Sequence, residues 1–552
     1  MQQSVTDPGG GLMGWIDRNI LQLGREVRLS YLPPLMVYAA YGISALTGIV
    51  GTFFVKDYLG LSAAFLAALG FWVGLPWALK VPVGHLVDLF WRYKAGLVYL
   101  GAILVACSLL IMVGLLANPD TMRQTMSAEK WFVLSALLSP VGYVLQDAVA
   151  DAMTVEAVPK FDESGQLIDP KLQRSMHTTM QTLGRVALIG GGVMVALVNV
   201  VLLSGVQDLP KDQQAAVYAK IYLLALIIPL VSIFGVSFAG HLRRRERGRL
   251  RAQGLSAEEI SRRMEVQSQK PPVNWWVLGG GIAFAAVSIV VGLSDFSFLK
   301  EYGQELIFAA SMAIVLFLMW RLLRELDPTA RNALLGTAIV IFVFRALPGT
   351  GAGSQWWYID VLKFDQEFFA KLSLLGSMLT LFGLFIFRRF MAERSIFYVV
   401  GFLTLVGTIL SLPSLGMYYG LHEWTAAHTG GLVDQRFIAV IDTALESPLG
   451  QIAMVPMLAW IANSAPSHLK ATFFAVMASF SNLALSLSNL GTKYINQIYT
   501  VTREVKEPAT GVVTVPADYS ELGLLFTTVI LIGLILPFVA IAIARAFHWR
   551  SA

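Results

Sequence analysis

The sequence predicts an all-helical, polytopic membrane protein of about fourteen transmembrane helices, two six-helix bundles with a two-helix hairpin inserted between them. Three observations carry that expectation. The 552 residues are 56% hydrophobic and only 14% charged, against about 25% charged in soluble domains. Apolar runs of roughly 20 residues, the length that spans a bilayer as helix, recur along the whole chain. A short repeat, ALLSPVG at 136–142 and ALESPLG at 444–450, falls in the fourth span of the first six and the fourth of the last six.

The spans are expected near 35–54, 61–84, 95–117, 131–157, 178–204 and 216–240. Two more follow near 274–294 and 303–323, then six near 332–348, 366–389, 395–413, 435–464, 470–498 and 521–546. The chain thus divides into an N-terminal segment (1–34), a first bundle (35–240), a basic linker (241–273), the hairpin (274–331), a second bundle (332–546) and a tail (547–552). Loops on the side of the N-terminus hold about 26 Lys and Arg against about 8 opposite, which places both termini on the cytoplasmic side of a cytoplasmic membrane. The first thirty residues lack the apolar core and cleavage site of a signal peptide, so the first span is expected to act as the signal. Linker 241–273 is either a basic amphipathic helix at the anionic inner leaflet or a solvated connection. Trp275 and Trp276 mark an interfacial belt where the hairpin begins.

The fourth span organises the chemistry. It carries Gln146, Asp147 and Asp151 behind Pro140 and Gly142. Residues four apart on a helix lie about 40° apart around the axis, so both carboxylates face one way. A carboxylate facing hydrocarbon costs at least about 2.5–3.5 kcal/mol, so that way is not lipid. Sorted by depth, the intramembrane charges form two layers. The inner one comprises Lys80, Asp147, Asp151 and Arg185, and the outer one Arg345, Asp442, Glu446 and Lys493. The residues alone leave two uses open for these layers: ion pairs that hold or gate the helices, and direct contact with a substrate or with protons. Ser481, Asn482, Asn489, Gln451 and Asn463 read as interhelical hydrogen-bonding groups, or as cavity lining. Gly190 to Gly192 and Gly279 to Gly281 read as close helix packing.

Parallel six-span repeats are the plan of the major facilitator superfamily. The stretch from Gly84 through Asp88 and Arg92 to Lys94, between the second and third spans, resembles that superfamily's loop, in which Asp and basic residues form a state-dependent ion-pair network. Three further stretches are similar to the folate–biopterin transporter family: Phe53 to Ser62 leading into Leu75 to Gly84, Gln146 to Glu156, and Arg345 to Pro348 through Trp357 and Asp360 to Phe368. That resemblance implies a proton-coupled symporter of pteridines such as folate or biopterin, working by alternating access. Lys470-Ala-Thr472 departs from the family's Glu-Ala/Gly-Thr, and the inserted hairpin departs as well. The Gln-Asp-x-x-x-Asp-Ala pattern is also similar to muropeptide permeases, the alternative transporter reading. A non-transporting assembly or scaffold protein is the alternative of another class.

Other classes find little purchase. The basic residues behind the pI near 9.1 lie in short loops, which excludes a nucleic-acid surface. One cysteine, Cys107, forms no intramolecular disulfide and no metal cluster, and the histidines show no ligand spacing. No Gly-x-x-x-x-Gly-Lys-Ser/Thr motif is present, so the chain carries no such ATP-driven motor. Neither a cofactor nor an enzymatic activity is expected.

Overall fold

The computed structural model describes residues 22–549 except 79, 91–92, 160, 163–165, 265–274, 294–295, 325, 327, 388–393, 451–469 and 507–511. Structural statements below concern the described residues. The chain is helical nearly throughout. The first span is α1 (Leu32–Gly42) and α2 (Gly48–Tyr58), joined by a 3-10 turn. The second is α3 (Ala63–Ala78) followed by α4 (Lys80–Leu89). Then come α5 (Lys94–Ala117), α6 (Ala128–Ala157), α7 (Pro170–Leu202), α8 (Lys211–Leu224) and α9 (Ile227–Ala252). The hairpin is α10 (Trp275–Leu293) and α11 (Ser297–Leu323). The rest comprises α12 (Pro328–Arg345), α13 (Ala352–Asp360), α14 (Gln366–Ile386), α15 (Ile396–Tyr418), α16 (Gln435–Glu446), α17 (Lys470–Ile498) and α18 (Leu522–Ala546). A two-stranded antiparallel ribbon, Val505–Lys506 with Val513–Val515, lies between α17 and α18.

Ten helical segments are long and apolar enough to cross a membrane. The fourteen expected from the sequence is not confirmed, since α10, α12, α16 and α17 are not among these ten described segments. Physical causes are visible. In α12 the opening Pro-Thr-Ala-Arg-Asn dilutes 18 residues, and α16 has only 12 before residues outside the description. Within the stretch 241–273, expected as a basic linker, α9 continues as helix to Ala252 and a further helix spans Ala257–Met264. Helix starts obey ordinary capping: the Ser127, Asp365, Ser395 and Asp434 side chains each accept from a backbone N–H in the first turn.

Small residues let the helices approach. A Cβ on Gly101 or Gly142 would meet the other glycine's carbonyl oxygen at 2.5 or 2.6 Å, so α5 and α6 touch backbone to backbone. One level away, Ser108 and Ser135 exchange hydrogen bonds across that seam. Gly42 of α1 packs on the Leu188 carbonyl and Gly191 of α7. Two seams join residues before the linker to residues after the hairpin. In one, Gly70 and Gly74 of α3 face Asn489 and Ser486 of α17, and Asn482 Nδ2 donates to the Trp77 carbonyl at 3.0 Å. In the other, α7 packs along α14. The hairpin lies over the first seam: Gln304 donates to Ala68 O (3.0 Å), Glu305 binds Lys493 (2.8 Å), and Gly281 abuts Pro82.

Gly142→Ala is expected to cost about 1–3 kcal/mol by overpacking, seen as a lower unfolding midpoint of the purified protein in detergent. Gly190→Ala, with open space around its Cβ, should leave the midpoint unchanged.

Candidate functional site

Lys80 opens α4 and reaches back to α6. Its Nζ lies 2.6 Å from Asp147 Oδ2 and 2.7 Å from Asp151 Oδ2, so one ammonium serves both carboxylates. The helical spacing of four residues is what presents the two acids to one cation. From α1, the Tyr38 hydroxyl donates to the other oxygen of Asp151 at 2.5 Å. The Asp147 side chain is 15% exposed and that of Asp151 45%, so the group runs from a buried acid to an open one. Arg185 of α7 acts electrostatically on Asp147 and on Tyr38 but forms no ion pair with any described residue. Gln146 is turned away: it is buried, accepts from Ser232 Oγ of α9 at 2.7 Å, and packs on Gly101. Asp88 lies on α4, with its side chain outside the described set, and Arg92 lies outside the described residues altogether.

Beside this group is a cavity of about 500 Å³ between α1, α7 and α14. Tyr41, one turn from Tyr38, lines it together with Ser44, Leu188, Ile189, Ser373, Ser377 and Thr380. Tyr41 packs against Trp77 and Tyr143, with ring centroids 5.5 and 5.2 Å apart. The cavity therefore has an aromatic wall, hydroxyl groups on the α14 side, and a charged group at one end.

The far end is tied shut. Lys56 at the end of α2 bonds Asp360 at the end of α13 at 2.6 Å and lies 3.5 Å from Asp57, which also holds Lys211 at 2.6 Å. Tyr519 donates to Asp360 at 2.5 Å. Burial, and then the carboxylate it serves, hold the Tyr519 phenol well above its usual range, so it stays a donor. Arg503 lies buried over the Trp356 ring at 5.3 Å, within electrostatic reach of Asp57 and Asp360. Nearby, Gln366 of α14 donates to the Tyr218 hydroxyl (2.7 Å), and Glu367 accepts from Gly205 N (3.1 Å). At the Lys80 end no ion pair between described residues joins the helices before the linker to those after the hairpin.

The predicted outer layer does not assemble as a layer. Lys493 continues the α17 stripe of Asn482, Ser486 and Asn489, which faces the hairpin seam, so it pairs with Glu305 of α11, as does the Tyr494 hydroxyl (2.6 Å). Asp442 and Glu446 do share a face of α16, and both act electrostatically on Tyr358; Asp442 Oδ1 is buried without a hydrogen-bond partner, while Glu446 is exposed. Arg345 is the last residue of α12 and is partly buried. Asn482 and Asn489 sit at helix contacts, while Gln451 and Asn463 lie outside the described residues. Sequence reasoning missed Lys56, Asp57, Asp360, Arg503 and Glu305. Lys56, Asp57 and Asp360 stood in two of the stretches that carry the family resemblance, but as charges near helix ends they looked like ordinary interfacial residues.

A helical chain whose two packed groups of helices enclose such a cavity, tied at one end, has the build of a major-facilitator-type transporter. Solved structures agree on the fold. A POT family transporter in complex with 5-aminolevulinic acid superposes with a TM-score of 0.57 at 12% identity, covering 95% of this chain and 96% of that one. A peptide transporter POT in complex with sulfate gives 0.53 at 15%, covering 94% of each chain. A mutant of the nucleoside transporter NupG gives 0.52 at 10%, covering 93% and 99%. The chain belongs to the BT1 family, whose model matches residues 41–548. A folate-biopterin transporter from Synechocystis sp. is 22% identical over 477 residues, 85% of this chain and 75% of that protein. The protein is thus a membrane transporter of the folate–biopterin type of family.

Two outcomes follow from the geometry. Asp151→Lys should lower the yield of folded protein several-fold, with recovery on adding Lys80→Asp, which restores one cation between two acids; adding Arg185→Asp should not recover it. In a Cys107→Ser background, Asp360→Ala should speed the labelling of Ser373→Cys by a membrane-impermeant maleimide several-fold, when the reagent is added from the Lys56 side.

Proposed function

We propose that this protein is a secondary active transporter that carries a pteridine (folate, biopterin or a relative) across the cytoplasmic membrane by alternating access, driven by protons. The observation that carries this reading is the position of the cavity, beside the Lys80, Asp147 and Asp151 group, with the Lys56 to Asp360 ion pair crossing between the two groups of helices at the other end. The bias of basic residues toward the loops on the Lys80 side makes that side cytoplasmic, so the conformation is inward-facing with both termini in the cytoplasm. Residues 35–240 and 332–546 are then the two moving bundles, with 274–331 lying across one seam between them.

The chemistry supports a pteridine. A flat heteroaromatic ring stacks on Tyr41, which Trp77 and Tyr143 back from behind. Hydroxyls at Ser44, Ser373, Ser377 and Thr380 offer donors and acceptors for the ring's edge. The curated relative named as a folate-biopterin transporter directs the choice among heteroaromatic cargoes. Proton coupling rests on the acid pair: one cation shared by two carboxylates leaves room for a proton whenever Lys80 moves or the half-open Asp151 changes partner. In this reading Asp147 and Asp151 carry the proton, Asp442 and Glu446 are a second acid pair in the opposite bundle, and Gln146 holds α6 to α9.

The test is labelled folate uptake into proteoliposomes of purified protein, with and without an inward proton gradient. Wild type should accumulate folate faster with the gradient, and Asp147→Asn should lose the stimulation, by about ten-fold or more. A wild-type protein that moves no pteridine but carries a muropeptide would overturn the cargo. Gradient-independent uptake would overturn the coupling.

A further inference from the structure

The two cations at the Lys80 end are unequal. Lys80 is fully engaged, with Asp147 at 2.6 Å and Asp151 at 2.7 Å. Asp151 is further occupied by the Tyr38 hydroxyl at 2.5 Å. The acids therefore already have their partners within the protein. Arg185 does not: its charge acts on Asp147 and Tyr38, yet it forms no ion pair with a described residue. It stands on α7 at the spacing 185, 189, 192, which is one helix face, and both Ile189 and Gly192 line the cavity. Its side chain is partly exposed. A guanidinium at membrane depth whose nearest described acid, Asp147, is already held by Lys80 is costly, and that cost falls when a ligand supplies an anion in direct contact.

Resting on the pteridine reading above, we infer that Arg185 is the subsite for a carboxylate of the cargo, and so sets a preference for pteridines that bear one over pteridines that do not. The guanidinium offers a planar fork that meets a carboxylate with two parallel hydrogen bonds, a geometry an ammonium lacks. With Lys80 held by two acids, Arg185 is the cation of the group left to meet an incoming anion. Tyr41 then holds the ring of the same molecule, across the cavity lining that Ile189 and Gly192 share with the helix face of Arg185.

Uptake of folate, which has a carboxylate tail, and of biopterin, which has none, separates this inference from the reading beneath it. For wild type, Arg185→Gln and Arg185→Lys, the KM and maximal rate of each cargo are measured in proteoliposomes. The expected result is a KM for folate raised roughly ten-fold or more relative to the KM for biopterin in Arg185→Gln, and a smaller relative rise in Arg185→Lys. Retained biopterin uptake certifies that the variants fold. Equal losses for both cargoes, restored together by Arg185→Lys, would assign Arg185 to charge pairing within the protein and overturn the inference. Unchanged folate uptake in Arg185→Gln would overturn it too. If wild type moves neither cargo, the pteridine reading itself fails.

Discussion

A charge cannot be left facing lipid, and the structure is arranged around satisfying that constraint with few groups. One ammonium, Lys80 Nζ, neutralises parts of two carboxylates one turn apart on α6, and one phenol, Tyr38, completes the outer acid. That group pins α1, α4 and α6 to one another at the level of the cavity. The backbone contact at Gly101 and Gly142 locks α6 to α5. Gln146, pointing the other way around α6, ties it to α9 through Ser232. A single helix thus presents its acids to the cavity on one face and its packing residues to the bundle on the other.

The Lys56 end uses charges differently. Lys56 and Asp57 belong to the first group of helices, Asp360, Arg503 and Tyr519 to the second, and the bond from Lys56 to Asp360 crosses between them. Each side keeps a fallback partner. Lys56 has Asp57 beside it, and Asp360 keeps Tyr519 and the field of Arg503. Breaking the crossing bond therefore strands no ion, which lowers the cost of opening compared with an isolated buried pair. The hairpin makes a comparable bridge with neighbouring residues, Gln304 to α3 and Glu305 to α17.

Much of this was legible in the chain. Apolar length placed helices where they occur, and the i, i+4 spacing of Asp147 and Asp151 announced a shared face with a cation at the depth of Lys80. The tri-glycine at 190–192 marked a close approach, realised by Gly191 against Gly42. The outer layer was not legible. Depth along a helix can be counted from sequence, but rotation about its axis depends on what the helix packs against. Lys493 has the depth of Asp442 and Glu446, yet the α17 stripe turns toward the hairpin, and Glu305 takes the charge. Arg185 counts to the depth of the inner acids too, and yet it is Lys80 that binds them.

What the sequence by itself determined is class and pattern: a helical membrane protein with two acids on one face of its fourth span, because hydropathy and helical periodicity are local properties. What only the tertiary structure decided is pairing, namely which cation holds which acid and which end of the cavity is closed. Lys56 meets Asp360, and Lys493 meets Glu305, across long stretches of intervening chain. Such contacts arise when helices choose faces against one another, a choice set by the small residues at the seams and by no single segment alone.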